Sequence, residues 1–201
     1  VSISSASLTG TKSANYSLSL TGAPTTTATI SQKTLTIGGS FTASDKEYNG
    51  SASASIATNS LTLVTKVGSD DVSLTSVVVA FATADAASGK TVSISSASLT
   101  GTKSANYSLS LTGAPTTTAT ISQKTLTIGG SFTASDKEYN GSASASIATN
   151  SLTLVTKVGS DDVSLTSVVV AFDNATAGSG KTVSISSASL TGTKSANYSL
   201  S

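Results

Sequence analysis

The chain has 201 residues, of which 10% are charged, with a net charge of +1 and neither His nor Cys. A balance this close to neutral gives no pull toward nucleic acid or an anionic membrane, and every cation is Lys, so no Arg offers bidentate phosphate contacts. Without His and Cys, catalytic triads of the common types and thiolate metal sites are excluded, and transition-metal sites are not expected.

The first predicted strand is Val1-Ser2-Ile3, where apolar and polar residues alternate. Thr9-Gly10-Thr11-Lys12-Ser13 reads as a turn. Tyr16, Leu18 and Leu20 then alternate with Ser17, Ser19 and Thr21. Gly22-Ala23-Pro24 breaks the chain, since Pro is poorly placed in a central strand. Residues 25–30 form a Thr-rich strand. Leu35 and Ile37 mark the next, ended by Gly38-Gly39, and Phe41 and Ala43 continue as extended chain. Asn49-Gly50 is a strong turn signal, because both residues tolerate positive φ. Ile56 closes a weak strand of small residues, and Leu61, Leu63 and Val67 lie in another. Gly68-Ser69-Asp70-Asp71 is a turn, and 72–81 is the longest and most apolar strand. We expect eight or nine short strands per repeat and no substantial helix. Short strands spaced by turn residues suggest a β-sandwich.

The repeat is explicit. Residues 1–19 recur at 92–110 and 183–201, a step of 91 residues (92 − 1 and 183 − 92). Residues 33–81 match 124–172 without a change. The copies differ only in a loop, ATADAAS at 82–88 and DNATAGS at 173–179. Such identity marks a tandem array of domain-sized units. The best phase places a complete module at 33–123. Residues 124–201 are then a second module without its last strand, the equivalent of 111–123, and 1–32 are the tail of a preceding module. The chain has no Met, even at position 1, and we expect it to be an internal segment of a longer protein. No stretch reads as a signal peptide, and no apolar run approaches the ~20 residues of a membrane helix.

Lys46-Glu47-Tyr48-Asn49-Gly50-Ser51 resembles the KxYDGT motif of the YDG repeat family, with Asn49 at the Asp position. Gly68-Ser69-Asp70-Asp71-Val72 resembles its GDxV turn, and Gly89-Lys90-Thr91-Val92 its GKTV. Leu99-Thr100-Gly101 with Asn106-Tyr107-Ser108-Leu109 is similar to its LxG…NYTL. The second copy repeats these at Tyr139, Asp161, Lys181 and Asn197. The resemblance implies all-β, immunoglobulin-like sandwich repeats of large secreted or surface-bound bacterial adhesins of filamentous-haemagglutinin type. It implies no catalytic residues.

Each candidate chemistry has a plainer reading. Asp70-Asp71, with Asp45 or Asp85, offers oxygen ligands to Ca²⁺, but no loop has the dense Asp/Asn alternation of such sites, and we read a solvated turn. Tyr48 and Tyr107 could stack on sugars; we read them as core residues whose hydroxyls find backbone partners. A Lys–Asn isopeptide crosslink needs a buried acid, and Glu47 lies in a turn. The sequons at Asn49, Asn106 and Asn174 are explained by turn chemistry. The Thr-rich strand 116–120 is too little regular surface for ice binding. The expected core is Leu35, Ile37, Tyr48, Leu63, Val72, Leu74, Val79, Phe81, Val92, Ile94, Leu99, Tyr107, Leu109 and Ile121. No catalytic, cofactor or metal residue is assigned.

We therefore expect a structural repeat, a stalk, spacer or filament segment outside the cell, and not an enzyme. The alternative is a glycan- or host-protein-binding module. Expected partners are neighbouring modules of the array, with head-to-tail self-association by strand addition, and neither nucleic acid nor membrane insertion. Residues 20–32 carry the sequence that the second module lacks.

Overall fold

The computed structural model describes residues 1–201. The chain is all-β: 51% of residues lie in strands, and no helix reaches seven residues. In residues 33–123 there are seven strands: β1 (Lys33–Ala43), β2 (Lys46–Glu47), β3 (Ile56–Val64), β4 (Ser73–Phe81), β5 (Ala87–Thr100), β6 (Tyr107–Ser110) and β7 (Thr116–Ser122). They form two sheets, ordered β3-β1-β6 and β2-β7-β5-β4. Pairing is antiparallel except between β1 and β6 and between β2 and β7.

The count is lower than the eight or nine expected, for two reasons. Gly38-Gly39 does not end β1. The ladder runs through it, with Gly38 opposite Thr62 and Gly39 opposite Leu61. Gly39 sits at φ +77°, and a Cβ there would collide with the Ser60 carbonyl oxygen, so the glycine permits a close approach of two strands. The small-residue stretch before Ile56 is also no strand; it contributes one bridge, Ser53 to Ala80.

Residues 124–201 repeat the pattern with gaps. Strands β8 (Lys124–Ala134), β10 (Ile147–Val155) and β13 (Tyr198–Leu200) form one sheet. Strands β9 (Ser144–Ala145), β11 (Ser164–Phe172) and β12 (Val183–Thr191) form the other. Nothing here stands where β7 stands in the first copy. β12 accordingly begins at Val183, whereas β5 begins 5 residues earlier in the repeat because Ala87, Lys90 and Thr91 pair with β7.

Residues 1–32 correct the expectation of strands. The letters that form β5, β6 and β7 at 92–122 form no strand at 1–31. They hold one 3₁₀ turn, Ser13–Asn15, and one bridge, Ser2 to Thr25. A strand needs a neighbouring strand to satisfy its backbone, and residues 1–32 do not themselves contain the letters of β1 or β4.

Seventeen residues are buried: twelve in 33–123, five in 124–201 and none in 1–32. The main core joins Ile37 and Phe41 of β1 to Val79, Phe81, Val92, Ile94, Ala119 and Ile121 of the other sheet. Phe41 and Ala119 are additions to the expected core. Leu63, Leu74, Leu99 and Leu109, expected there, are half-buried. The same cluster continues through Tyr48 into Leu126, Val163 and Tyr198 of the second copy. One apolar core therefore runs across both copies.

Candidate functional site: the joint between the two copies

The joint is built from the turn after β2. The Asn49 side-chain oxygen accepts the Ser51 N–H (3.1 Å) and the Lys46 ammonium (3.0 Å). Gly50 at φ +77° completes the turn. Lys46 also donates to the Ser51 and Ser53 carbonyls and lies 5.6 Å from the Phe81 ring centre. Desolvation there lowers its pKa. A turn tied down in this way fixes where Tyr48 points.

Tyr48 points out of its own copy. Its N–H donates to the Ser122 carbonyl (2.9 Å), and its ring meets Tyr198 edge-on, with centroids 5.3 Å apart at 77°. Its hydroxyl donates to Oδ2 of Asp161 (2.8 Å). The Tyr198 hydroxyl donates to the same oxygen (2.7 Å) and accepts the Val158 N–H (3.0 Å). A Cβ at Gly50 would come within 3.1 Å of Val158 Cγ1, so the small residue lets the two turns approach.

A second patch lies beside it. Asp85 Oδ1 accepts the Lys194 ammonium (2.9 Å) and the Asn197 amide (3.0 Å), and the Ala86 N–H donates to Asn197 Oδ1 (2.7 Å). Asn197 is the one buried polar residue in the protein, at 2% exposure. The Lys194 hydrogen bond, with Asn197, holds the Asp85 carboxyl below the usual carboxylate range. Lys124 pairs with Glu47 at 2.7 Å, and the Gln123 amide donates to the Ala196 carbonyl at 3.0 Å. Gln123 is the single residue between β7 and β8.

The residues singled out in the sequence are engaged locally or at this joint. Tyr48 and Tyr107 are core residues, but their hydroxyls donate to carboxylates. Tyr107 uses Asp70 (2.6 Å) and also accepts the Val67 N–H (3.2 Å). The four aspartates do not gather: Asp71 holds Thr102, Asp45 accepts the Thr120 N–H, Asp70 serves Tyr107, and Asp85 reaches the other copy. No three acidic side chains come together as a metal site. Glu47 is paired with Lys124 on the surface. Asn49 and Asn174 are turn residues, each accepting an N–H two residues on. Asp85 and Asn197 escaped the sequence reading as joint residues. The one signal was that Asp85 falls in the loop where the copies differ.

That loop is consequently not inert. Giving 82–88 the sequence of 173–179 puts Thr in place of Asp85 and strips an acceptor from Asn197. We expect a loss of about 1–3 kcal/mol from leaving that buried amide short of a partner, read by denaturant unfolding. The reverse exchange at 173–179 should change stability by less than about 0.5 kcal/mol.

The tyrosine pair predicts an alkaline transition. Burial first, and the Asp161 hydrogen bond second, push Tyr48 and Tyr198 up to about 12. Both lie above the free tyrosine value of about 10. The protonated hydroxyls therefore contribute stability that is full below the unfolded value and is lost as pH rises through the folded one. The denaturation midpoint should hold to about pH 9–10 and fall toward pH 12. Tyr48→Phe should make the fall shallower. An equally steep fall in that variant would remove Tyr48 from the account.

An all-β chain whose copies share a core across a one-residue connection is a repeat protein with ordered joints. The family model described as the YDG domain matches residues 31–119 and again 122–201. The chain therefore belongs to the YDG domain family. Neither the curated proteins nor the solved structures contain a match.

Proposed function

We propose that the chain is an array of immunoglobulin-like β-sandwich modules, repeating every 91 residues, that acts as a stalk or spacer in an extracellular bacterial surface protein or adhesin. The modules are 33–123 and 124–201, with 1–32 as the end of another. One observation carries this reading: Tyr48 is committed to the joint. Its ring and hydroxyl lie between the copies, at 2% exposure, rather than in a cleft open to substrate. A spacer transmits length only if its joints resist bending. A one-residue connection and a shared apolar core supply that resistance, where a flexible linker would coil.

The reading is structural and not enzymatic. The polar side chains around the joint are engaged with one another, and the sequence has none of the nucleophile–imidazole pairs that hydrolases use. Recognition of a glycan or host protein ranks second. It draws support from Tyr16 and Tyr139, the exposed tyrosines. Small-angle scattering tests the spacer. The chain should scatter as one particle of fixed length, and Tyr48→Ala should broaden the distribution of lengths. A broad distribution for the unaltered chain would overturn the reading.

A further inference from the structure

We propose that Asn49 and Asn140 are sites of self-modification, where the backbone nitrogen of the following glycine closes on the asparagine amide carbon, expels ammonia and leaves a carboxylate after hydrolysis. The chemistry belongs to one turn, present in both copies, and stands apart from the reading of the chain as a spacer.

The turn holds the reacting groups together. The Asn49 side chain is folded back over its own backbone, because its Oδ1 accepts the N–H of Ser51, two residues on, at 3.1 Å. The loop closed by that bond passes over Gly50, whose nitrogen is the nucleophile. The Gly50 N–H has no acceptor in the protein, so no bond must break to free it. Glycine also has no Cβ to crowd the approach. The Lys46 ammonium donates to the same Oδ1 at 3.0 Å, and is itself fixed by the Ser51 and Ser53 carbonyls. Two preset donors stabilise the negative charge that gathers on this oxygen as the nitrogen attacks. The second copy repeats the arrangement. Asn140 Oδ1 accepts the Ser142 N–H at 3.1 Å and the Lys137 ammonium at 3.0 Å. Both asparagines are exposed, so water can reach the amide and ammonia can leave.

The step balances with water alone. The Gly50 nitrogen gives its proton to solvent hydroxide and forms a bond to Asn49 Cγ. The carbonyl electron pair moves onto Oδ1 and returns as the bond to Nδ2 breaks. Nδ2 takes a proton from water and leaves as ammonia, and the product is a cyclic succinimide. Water then opens the ring from either side. Attack at Cγ gives aspartate, and attack at the main-chain carbonyl gives isoaspartate, with an extra carbon in the backbone. Aspartate at 49 keeps both donors, now in charge-assisted bonds. Isoaspartate lengthens the backbone beside Tyr48 and disturbs its contact with Tyr198 and Asp161. Lys46 is bonded to the amide oxygen, the place of a donor and not of an attacking group.

Other asparagines of the chain share parts of this arrangement and serve as controls. Asn174 Oδ1 also accepts an N–H two residues on, from Thr176 at 3.0 Å, and a lysine, Lys181, but Ala175 follows it and carries a Cβ. Asn59 and Asn150 accept the N–H of Leu61 and Leu152 at 3.0 Å, but a serine follows each and neither is bonded to a lysine. Asn49 and Asn140 alone among these five combine the folded-back amide, the lysine and the glycine, and should outpace the other three.

The test is to hold the 201-residue chain at mildly alkaline pH and map its peptides by mass spectrometry over time. Asn49 and Asn140 should each gain about 1 Da, divided between aspartate and isoaspartate, while Asn174, Asn59 and Asn150 stay intact. Both sites should react severalfold faster in the folded chain than in denaturant, where the Asn-Gly sequence remains and the turn does not. Lys137→Gln should slow Asn140 toward its rate in denaturant and leave Asn49, in the same molecule, unchanged. A folded rate equal to or below the denatured one would mean that the turn protects the amide, and would overturn the proposal. So would an unchanged rate at Asn140 in Lys137→Gln, or a permanent loss of ammonia that joins residue 46 to residue 49, which would make Lys46 the nucleophile.

Discussion

Tyr48→Ala should cost about 3–5 kcal/mol in dilute solution, the usual loss for truncating a large buried ring. The identical substitution at Tyr139 should cost less than about 0.5 kcal/mol, as for an exposed side chain. The two residues sit in the same 49-residue sequence, since 33–81 and 124–172 are the same letters. They differ in their neighbours in space. Tyr48 is 2% exposed against Tyr198 and Asp161, and Tyr139 is 71% exposed. Removing Tyr48 also leaves Asp161 with one hydroxyl donor where it had two. Chemical denaturation of both variants decides the matter. Equal losses would mean that the Tyr48 contact across the joint contributes nothing beyond local packing of the turn.

That comparison also marks the limit of reading this chain by its letters. Period-2 alternation marked the letters of β5 and β6, because a strand with one buried face must alternate, while β4 was legible as the most apolar run and β7 as a Thr-rich one. Of the expected core, Leu35, Ile37, Tyr48, Val72, Val79, Phe81, Val92, Ile94, Tyr107 and Ile121 are buried. Phe41 was missed because Gly38-Gly39 reads as a terminator, when it is a close approach within one continuous strand. Pattern alone fails wherever the partner decides. Residues 1–31 and 92–122 are the same sequence, yet only the second set has β1 and β4 to pair with, and only there do strands form. The joint was less legible still. Tyr48 reads correctly as a buried tyrosine, but the sequence cannot say that its acceptor is a carboxylate 113 residues away. In an array of identical copies, no local signal separates a residue facing a neighbour from one facing water.

The same asymmetry governs the second large effect. Phe81→Ala should cost about 3–5 kcal/mol, while Phe172→Ala should cost about 1–2 kcal/mol, in proportion to the smaller area it hides. Phe81 is 3% exposed, packed among Ile37, Phe41, Val92 and Ile121, with the Lys46 ammonium over its ring. Its N–H donates to the Ala52 carbonyl at 2.8 Å. Phe172 keeps the equivalent backbone bond, to Ala143 at 2.8 Å, and the equivalent cation, Lys137 at 5.7 Å. What it lacks is the β7 side of its pocket. The difference between the two substitutions therefore isolates one strand's contribution to the core, with local sequence and local hydrogen bonds held constant. The experiment is a pair of denaturation curves on the 201-residue chain, where β12 pairs with β11 alone. On a chain extended after Ser201 with the sequence of 111–123, Phe172→Ala should become as costly as Phe81→Ala. If the two cost the same in the 201-residue chain, the groove beside Phe172 is not the seat of a strand, and the cores of the two copies are equivalent after all.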